Sequence, residues 1–207
     1  MRVIVDDVGV TFACRTIFAG LNLTLWGGTV TAIMAPSGYG KSTLLSIIAG
    51  HSQPDHGSST VLDNTGAAIS SPVIEWIVQS SPMLPRRTAV ANAALGAVAR
   101  GMSHTSALSR ARSALKNLGV ESLADIRVNQ LSGGERQRVA VARAITMHSN
   151  VLLADEPTAS LDAASRRQVS SALALAAGTG AVVVVATHDT SVAEQCDRVV
   201  DLTQMVQ

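Results

Sequence analysis

Apolar residues follow two rhythms along this chain. In residues 1–34 they come in short runs (3–5, 10–12 and 21–26) separated by polar or Gly-containing turns, a pattern that predicts short strands. Residues 29–34 form a nearly unbroken apolar stretch and predict a buried strand. That stretch runs straight into Ala-Pro-Ser-Gly-Tyr-Gly-Lys-Ser-Thr (35–43) and then an apolar helix over 44–49. Two further strands are predicted at 59–62 and 73–78. Beyond Gln79 the rhythm changes. Pro82 and Pro85 interrupt the chain, and residues 88–147 are rich in Ala, Arg and Leu at helical spacing. Ser103 is placed to cap a helix over 104–118, and Gly119 to end it. From Val151 the pattern returns to strand (151–154), helix (163–177), strand (181–186) and a short strand near 198–202. The sequence thus predicts an α/β core interrupted by a helical insertion, without internal repeats.

Composition narrows the class without identifying it. The 207 residues suffice for one sizeable core, and 47% hydrophobic against 15% charged residues describes a chain that folds. A formal net charge of +1 gives no reason to expect nucleic acid as a partner. Cys14 and Cys196 lie far apart with no metal-binding spacing, and read as reduced thiols. No apolar run approaches the roughly 18 residues of a membrane span. Asp6 and Asp7 stand where a signal peptide would be apolar, so secretion is not expected.

Chemistry concentrates in two places. Residues 35–43 fit a strand–loop–helix phosphate cradle at every position but the first, where Ala35 replaces glycine. In such a loop Ser37, Gly38, Tyr39, Gly40 and Thr43 supply inward-pointing backbone N–H groups at the positive end of a helix. Lys41 can reach the β- and γ-phosphates, and the Ser42 hydroxyl is placed to ligate Mg²⁺. Later, four apolar residues (151–154) deliver Asp155 and Glu156 to a strand end. There Asp155 can hold Mg²⁺, and Glu156 can orient and deprotonate an attacking water. Such a cradle alone says nucleotide, not function.

The segment Leu131-Ser132-Gly133-Gly134-Glu135-Arg136-Gln137-Arg138 resembles the signature of the ATP-binding-cassette ATPases, and the resemblance then spans essentially the whole chain. It implies a P-loop core with a mostly parallel sheet, an N-terminal antiparallel β subdomain and an inserted α-helical subdomain over 83–147. It implies ATP and Mg²⁺ as cofactors. Ser132, Gly133 and Gly134 would meet the ATP held by a second cassette subunit. Gln79 matches the glutamine that senses Mg²⁺ and the attacking water, and Ser160-Leu161-Asp162 the loop that crosses the dimer interface. His188 matches the histidine that contacts the γ-phosphate, and Phe12 the aromatic that stacks on adenine. His51, His56, His104 and His148 are expected to be ordinary surface or core residues.

The resemblance is closest to bacterial stand-alone cassettes, implying an integral membrane permease on a separate chain and a location in the cytoplasm on the inner face of the membrane. Pro82, Met83 and Leu84 sit where relatives receive the permease. Small-solute importers and the lipoprotein-release and macrolide-efflux type of system stay open alternatives. A soluble cassette uncoupled from transport would carry an insertion absent here, and a small-molecule kinase would leave Ser132 and His188 without a task.

Overall fold

Six consecutive residues of one strand, Val182–Thr187, are all buried, and they are the spine of the molecule. This is β7 in a computed structural model that describes residues 1–12, 15–78, 82–159 and 161–205. β7 lies at the centre of a five-stranded, wholly parallel sheet. The spatial order is β5 (Ile74–Ile77), β6 (Val151–Asp155), β7, β3 (Val30–Met34) and β8 (Arg198–Asp201). β-branched residues on both faces explain the assignment, since parallel sheets are covered on both sides. Val182, Val184 and Ala186 enter one apolar core; Val183 and Val185 enter the other. β6 splits the same way, with Val151 and Leu153 on one side and Leu152 and Ala154 on the other.

One core is closed by α1 (Lys41–Ile48) and by an antiparallel sheet in the order β2 (Arg15–Trp26), β1 (Arg2–Phe12), β4 (His56–Leu62). The runs expected at 3–5 and 10–12 are one strand, because a register irregularity at Asp6 and Asp7, the latter with φ 49°, carries the pairing through the polar break. The other core is closed by α2 (Ala89–Ala99), α3 (His104–Asn117), α4 (Gly133–Thr146) and α5 (Ala163–Gly178). α6 (Thr190–Ala193) is a single short turn after β7.

The fold is therefore the α/β one expected. A parallel core sheet carries an antiparallel N-terminal sheet, and among the described residues the α-helices α2, α3 and α4 lie between β5 and β6. Ser103 does cap α3, its hydroxyl accepting the Ser106 N–H at 3.2 Å, which contributes about 1 kcal/mol. α1 begins three residues earlier than the apolar pattern suggests. Its first turn is made of Lys41, Ser42 and Thr43, which belong to the cradle rather than to the core-facing stripe.

Candidate functional site

The loop between β3 and α1 turns at two glycines in the left-handed region, Gly38 (φ 83°) and Gly40 (φ 89°). A Cβ on Gly40 would come within 2.5 Å of Ile17 and 2.8 Å of Phe18, so the position excludes any side chain. Ala35 is buried and outside the left-handed region, where the non-glycine residues described are Asp7, His148 and Glu156. Its methyl group therefore does not strain the loop. Lys41 is almost fully buried, and its Nζ donates to the carbonyl oxygens of Ala35 (2.7 Å) and Pro36 (3.3 Å). Both partners are neutral carbonyls, and among the described residues no carboxylate forms an ion pair with Lys41.

β6 ends at Asp155, one sheet position away from β7 and two from β3, which feeds the loop. The Ser42 hydroxyl donates to Asp155 Oδ2 at 2.6 Å, joining residues 113 apart. Glu156 takes a left-handed backbone (φ 48°), a conformation that costs an L-residue on the order of 1–2 kcal/mol. The Glu156 N–H donating to the Ala186 carbonyl at 2.9 Å holds it there. The twist brings its carboxylate against the end of β7. Oε1 lies 2.7 Å from His188 Nδ1, and Oε2 accepts the Thr187 hydroxyl at 3.2 Å. The Glu156 side chain is only 17% exposed, whereas that of His188 is 70% exposed. A cavity of about 620 Å³ opens here, lined by Pro36–Gly38, Gly40–Thr43, Asp155, Glu156, His188 and Ile17. Its size is that of a small-molecule site.

Sequence reading missed Ile17 and Thr187, an apolar wall and a hydroxyl whose proximity to the cradle depends on tertiary packing alone. Two expected residues stand apart from the cavity lining. Tyr39 is exposed, and Phe12 is 58% exposed at the end of β1. Gln79 and Ser160 lie outside the described residues. The four histidines set aside are indeed elsewhere: His51 stacks on Trp76, His56 lies over Gly9, His104 opens α3, and His148 follows α4.

Ser132, Gly133 and Gly134 lie together at the N-terminal tip of α4. Ser132 is the N-cap in a reciprocal capping box: its Oγ accepts the Glu135 N–H, and its own N–H donates to Glu135 Oε2 at 2.7 Å. The Ser132 N–H and, after it, the Ser132 hydroxyl hold the Glu135 carboxyl below the usual carboxylate range. Ser132 is exposed at the helix tip, with its hydroxyl against the Glu135 carboxylate. Gly133 is exposed too. Its φ is not positive and a Cβ there would meet nothing within 4 Å, so the chain's own packing gives no reason for a glycine.

Among the described residues no group of three or more His, Cys, Asp or Glu gathers as a metal site. The Ser42–Asp155 pair is nonetheless a set of hard oxygens suited to a divalent cation that arrives with phosphates.

Comparison with known proteins supplies the family. Residues 18–159 match the family described as ABC transporter. A lipoprotein-releasing system ATP-binding protein LolD of Nitrobacter hamburgensis is 40% identical over 196 residues, covering 90% of this chain and 84% of that protein. A macrolide export ATP-binding/permease protein MacB of Rhodopseudomonas palustris is 36% identical over 194 residues, where this chain spans 30% of the longer protein. The dimeric cassette MJ0796, solved in a post-hydrolysis state with ADP and Pi, superposes with a TM-score of 0.82 at 30% identity, covering 96% of this chain and 93% of the other.

Proposed function

The chain belongs to the ABC transporter family, and from that premise we propose how its two sites divide the work of ATP hydrolysis. It is an ATP-binding, ATP-hydrolysing transporter subunit. The triphosphate lies in the cradle of residues 35–43, with Lys41 on its β- and γ-phosphates and Ile17 and Phe12 toward the base. Ser42 and Asp155 would hold Mg²⁺, and the ion would supply charge neutralisation of the phosphates. Glu156 orients and deprotonates the attacking water. Thr187 and His188 set its carboxylate, and His188, being mostly exposed, is free to turn to the γ-phosphate.

The observation that carries this reading is the Glu156 backbone, strained into the left-handed region and anchored to Ala186, which aims one carboxylate at the cavity mouth. Strain of this kind persists where the surroundings over-determine it, and it clusters at active sites.

Ser132 and Gly133 serve the ATP of a second cassette subunit. An exposed helix tip and a glycine that the chain's own packing does not explain support this role. The active unit is then a head-to-tail pair with two nucleotides between the copies. The helices between β5 and β6 act as one lobe (residues 83–147) moving against the core (residues 1–82 and 148–207). The membrane partner is a permease on a separate chain, as the LolD relatives matched over 84% of their length suggest, and the cassette works from the inner face of the membrane. No described helix is long and apolar enough to cross a membrane. Relatives named for lipoprotein release and macrolide export favour that class of cargo over small-solute import. The deciding experiment is phosphate release from Mg-ATP by the purified chain with and without its co-purifying membrane protein. A chain that binds ATP and releases no phosphate in either state contradicts the reading.

A further inference from the structure

One guanidinium on α5 joins the two loops that flank the Glu156 carboxylate, and nothing in the phosphate cradle requires it. Arg166 Nε donates to the Leu161 carbonyl at 3.2 Å, and its Nη1 meets Asp189 Oδ2 at 3.0 Å. Each end of that bridge leads to a reacting group. Leu161 is buried against the tip of α4: its Cδ2 lies 3.1 Å from where a Cβ on Gly134 would sit. The same stretch is held to α4 a second time, by Gln137 Nε2 donating to the Pro157 carbonyl at 3.2 Å, directly after Glu156. At the other end, the Asp189 N–H donates to Thr187 Oγ1 at 3.1 Å, and that hydroxyl donates to Glu156 Oε2 at 3.2 Å. His188 lies between Thr187 and Asp189.

We infer that Arg166 is a positioning residue for hydrolysis, tying the Leu161 loop beneath the Ser132–Gly134 tip to the Thr187–Asp189 turn that sets the Glu156 carboxylate. The inference rests on the reading of Glu156 as the base. A planar, forked donor can satisfy a carbonyl and a carboxylate together, which a lysine or an amide at this position cannot do with the same geometry. The pair is only about one-third exposed on each side, so solvent weakens it without removing it. Through this bridge, a displacement of the helix tip by a neighbour's nucleotide reaches the base of the chain's own site.

The test compares wild type, Arg166→Gln, Arg166→Lys, Asp189→Asn and the Arg166→Gln/Asp189→Asn double variant. Asparagine caps a helix as well as aspartate does, so Asp189→Asn weakens the bridge and leaves the start of α6 in place. ATP binding is followed with a fluorescent analogue, turnover by phosphate release, and folding by thermal melting. Loss of alignment at a reacting centre lowers kcat without altering ground-state binding. The expected result is a roughly tenfold lower kcat in Arg166→Gln and a smaller loss in Arg166→Lys. Binding and melting temperature should stay near wild type, and the double variant should be no slower than the slower single one. Wild-type kcat in Arg166→Gln, multiplicative losses in the double variant, or a fall in kcat that tracks a fall in melting temperature would each overturn the inference. A wild-type chain without phosphate release overturns the reading of Glu156 instead.

Discussion

Glu156 and His188, 32 residues apart in sequence, meet at 2.7 Å because β6 and β7 run parallel in register, with Asp155 beside Ala186. Each strand thus presents its last polar residues at one edge of the sheet. If Glu156 is the base, Glu156→Gln keeps the shape of the site and the hydrogen bond to Thr187 while removing proton-accepting capacity. Phosphate release should fall at least about 10²-fold. ATP then stays bound, and light scattering should show a stable dimer. A variant that stays monomeric with saturating ATP argues against a shared interface.

At the tip of α4, Ser132→Arg places a bulky cation where a neighbour's nucleotide would approach. Turnover should disappear while ATP affinity stays within about twofold of wild type, because the cradle lies elsewhere in the chain. Equal losses of binding and turnover would contradict this division of labour. Removing the cap also costs about 1 kcal/mol of stability, so melting temperature is recorded alongside.

How legible was this arrangement in the sequence? Residues 35–43 and Asp155–Glu156 were readable because local chain chemistry dictates them: glycines where φ must be positive, and apolar strands that end in acids. The β7 strand was readable from its valines. The burial of Asn92 was not, since its polar side chain is fully buried and satisfied by the backbone of Leu84, Arg87 and Thr88, contacts that appear only once α2 is folded. Nor was the split of residues 82–84: Met83 packs against the core, while Leu84 is 45% exposed. Arg166 was one arginine among many until α5 set it against Asp189, 23 residues on.

The Ser42–Asp155 hydrogen bond at 2.6 Å predicts a shared duty toward the divalent cation. Asp155→Asn keeps an acceptor for Ser42 and loses the charge. The Mg²⁺ concentration for half-maximal ATPase activity should rise roughly tenfold or more, with the Mg-free affinity for ATP unchanged or slightly higher. An unchanged Mg²⁺ requirement would remove Asp155 from the cation site.

Glu75 gives a prediction about stability alone. Burial pushes its carboxyl above the usual range, and the nearby Arg143 charge only partly opposes this. A carboxyl raised in the folded state favours folding below its unfolded pKa and loses that contribution as pH rises through the folded value. At neutral pH the ionised Glu75 is therefore unfavourable, and Glu75→Gln should raise the melting temperature by on the order of 1–3 °C. The gain should shrink as the pH falls and vanish well below the ordinary glutamate pKa of about 4.3, where the carboxyl is protonated in either state. A variant less stable at neutral pH would show that the Arg143 attraction dominates.

The vacancy beside Gly133 separates two kinds of selection on this chain. A methyl group there touches nothing, and alanine is the better helix former by up to about 1 kcal/mol, so a lone folded copy is indifferent to, or improved by, losing the glycine. A survey of variants scored by expression or heat resistance would pass every small substitution at 133 as harmless. If Gly133 faces a neighbour's nucleotide, only an assay that forces two copies together over nucleotide would register the damage, and the reason for that residue would be written in a surface belonging to someone else.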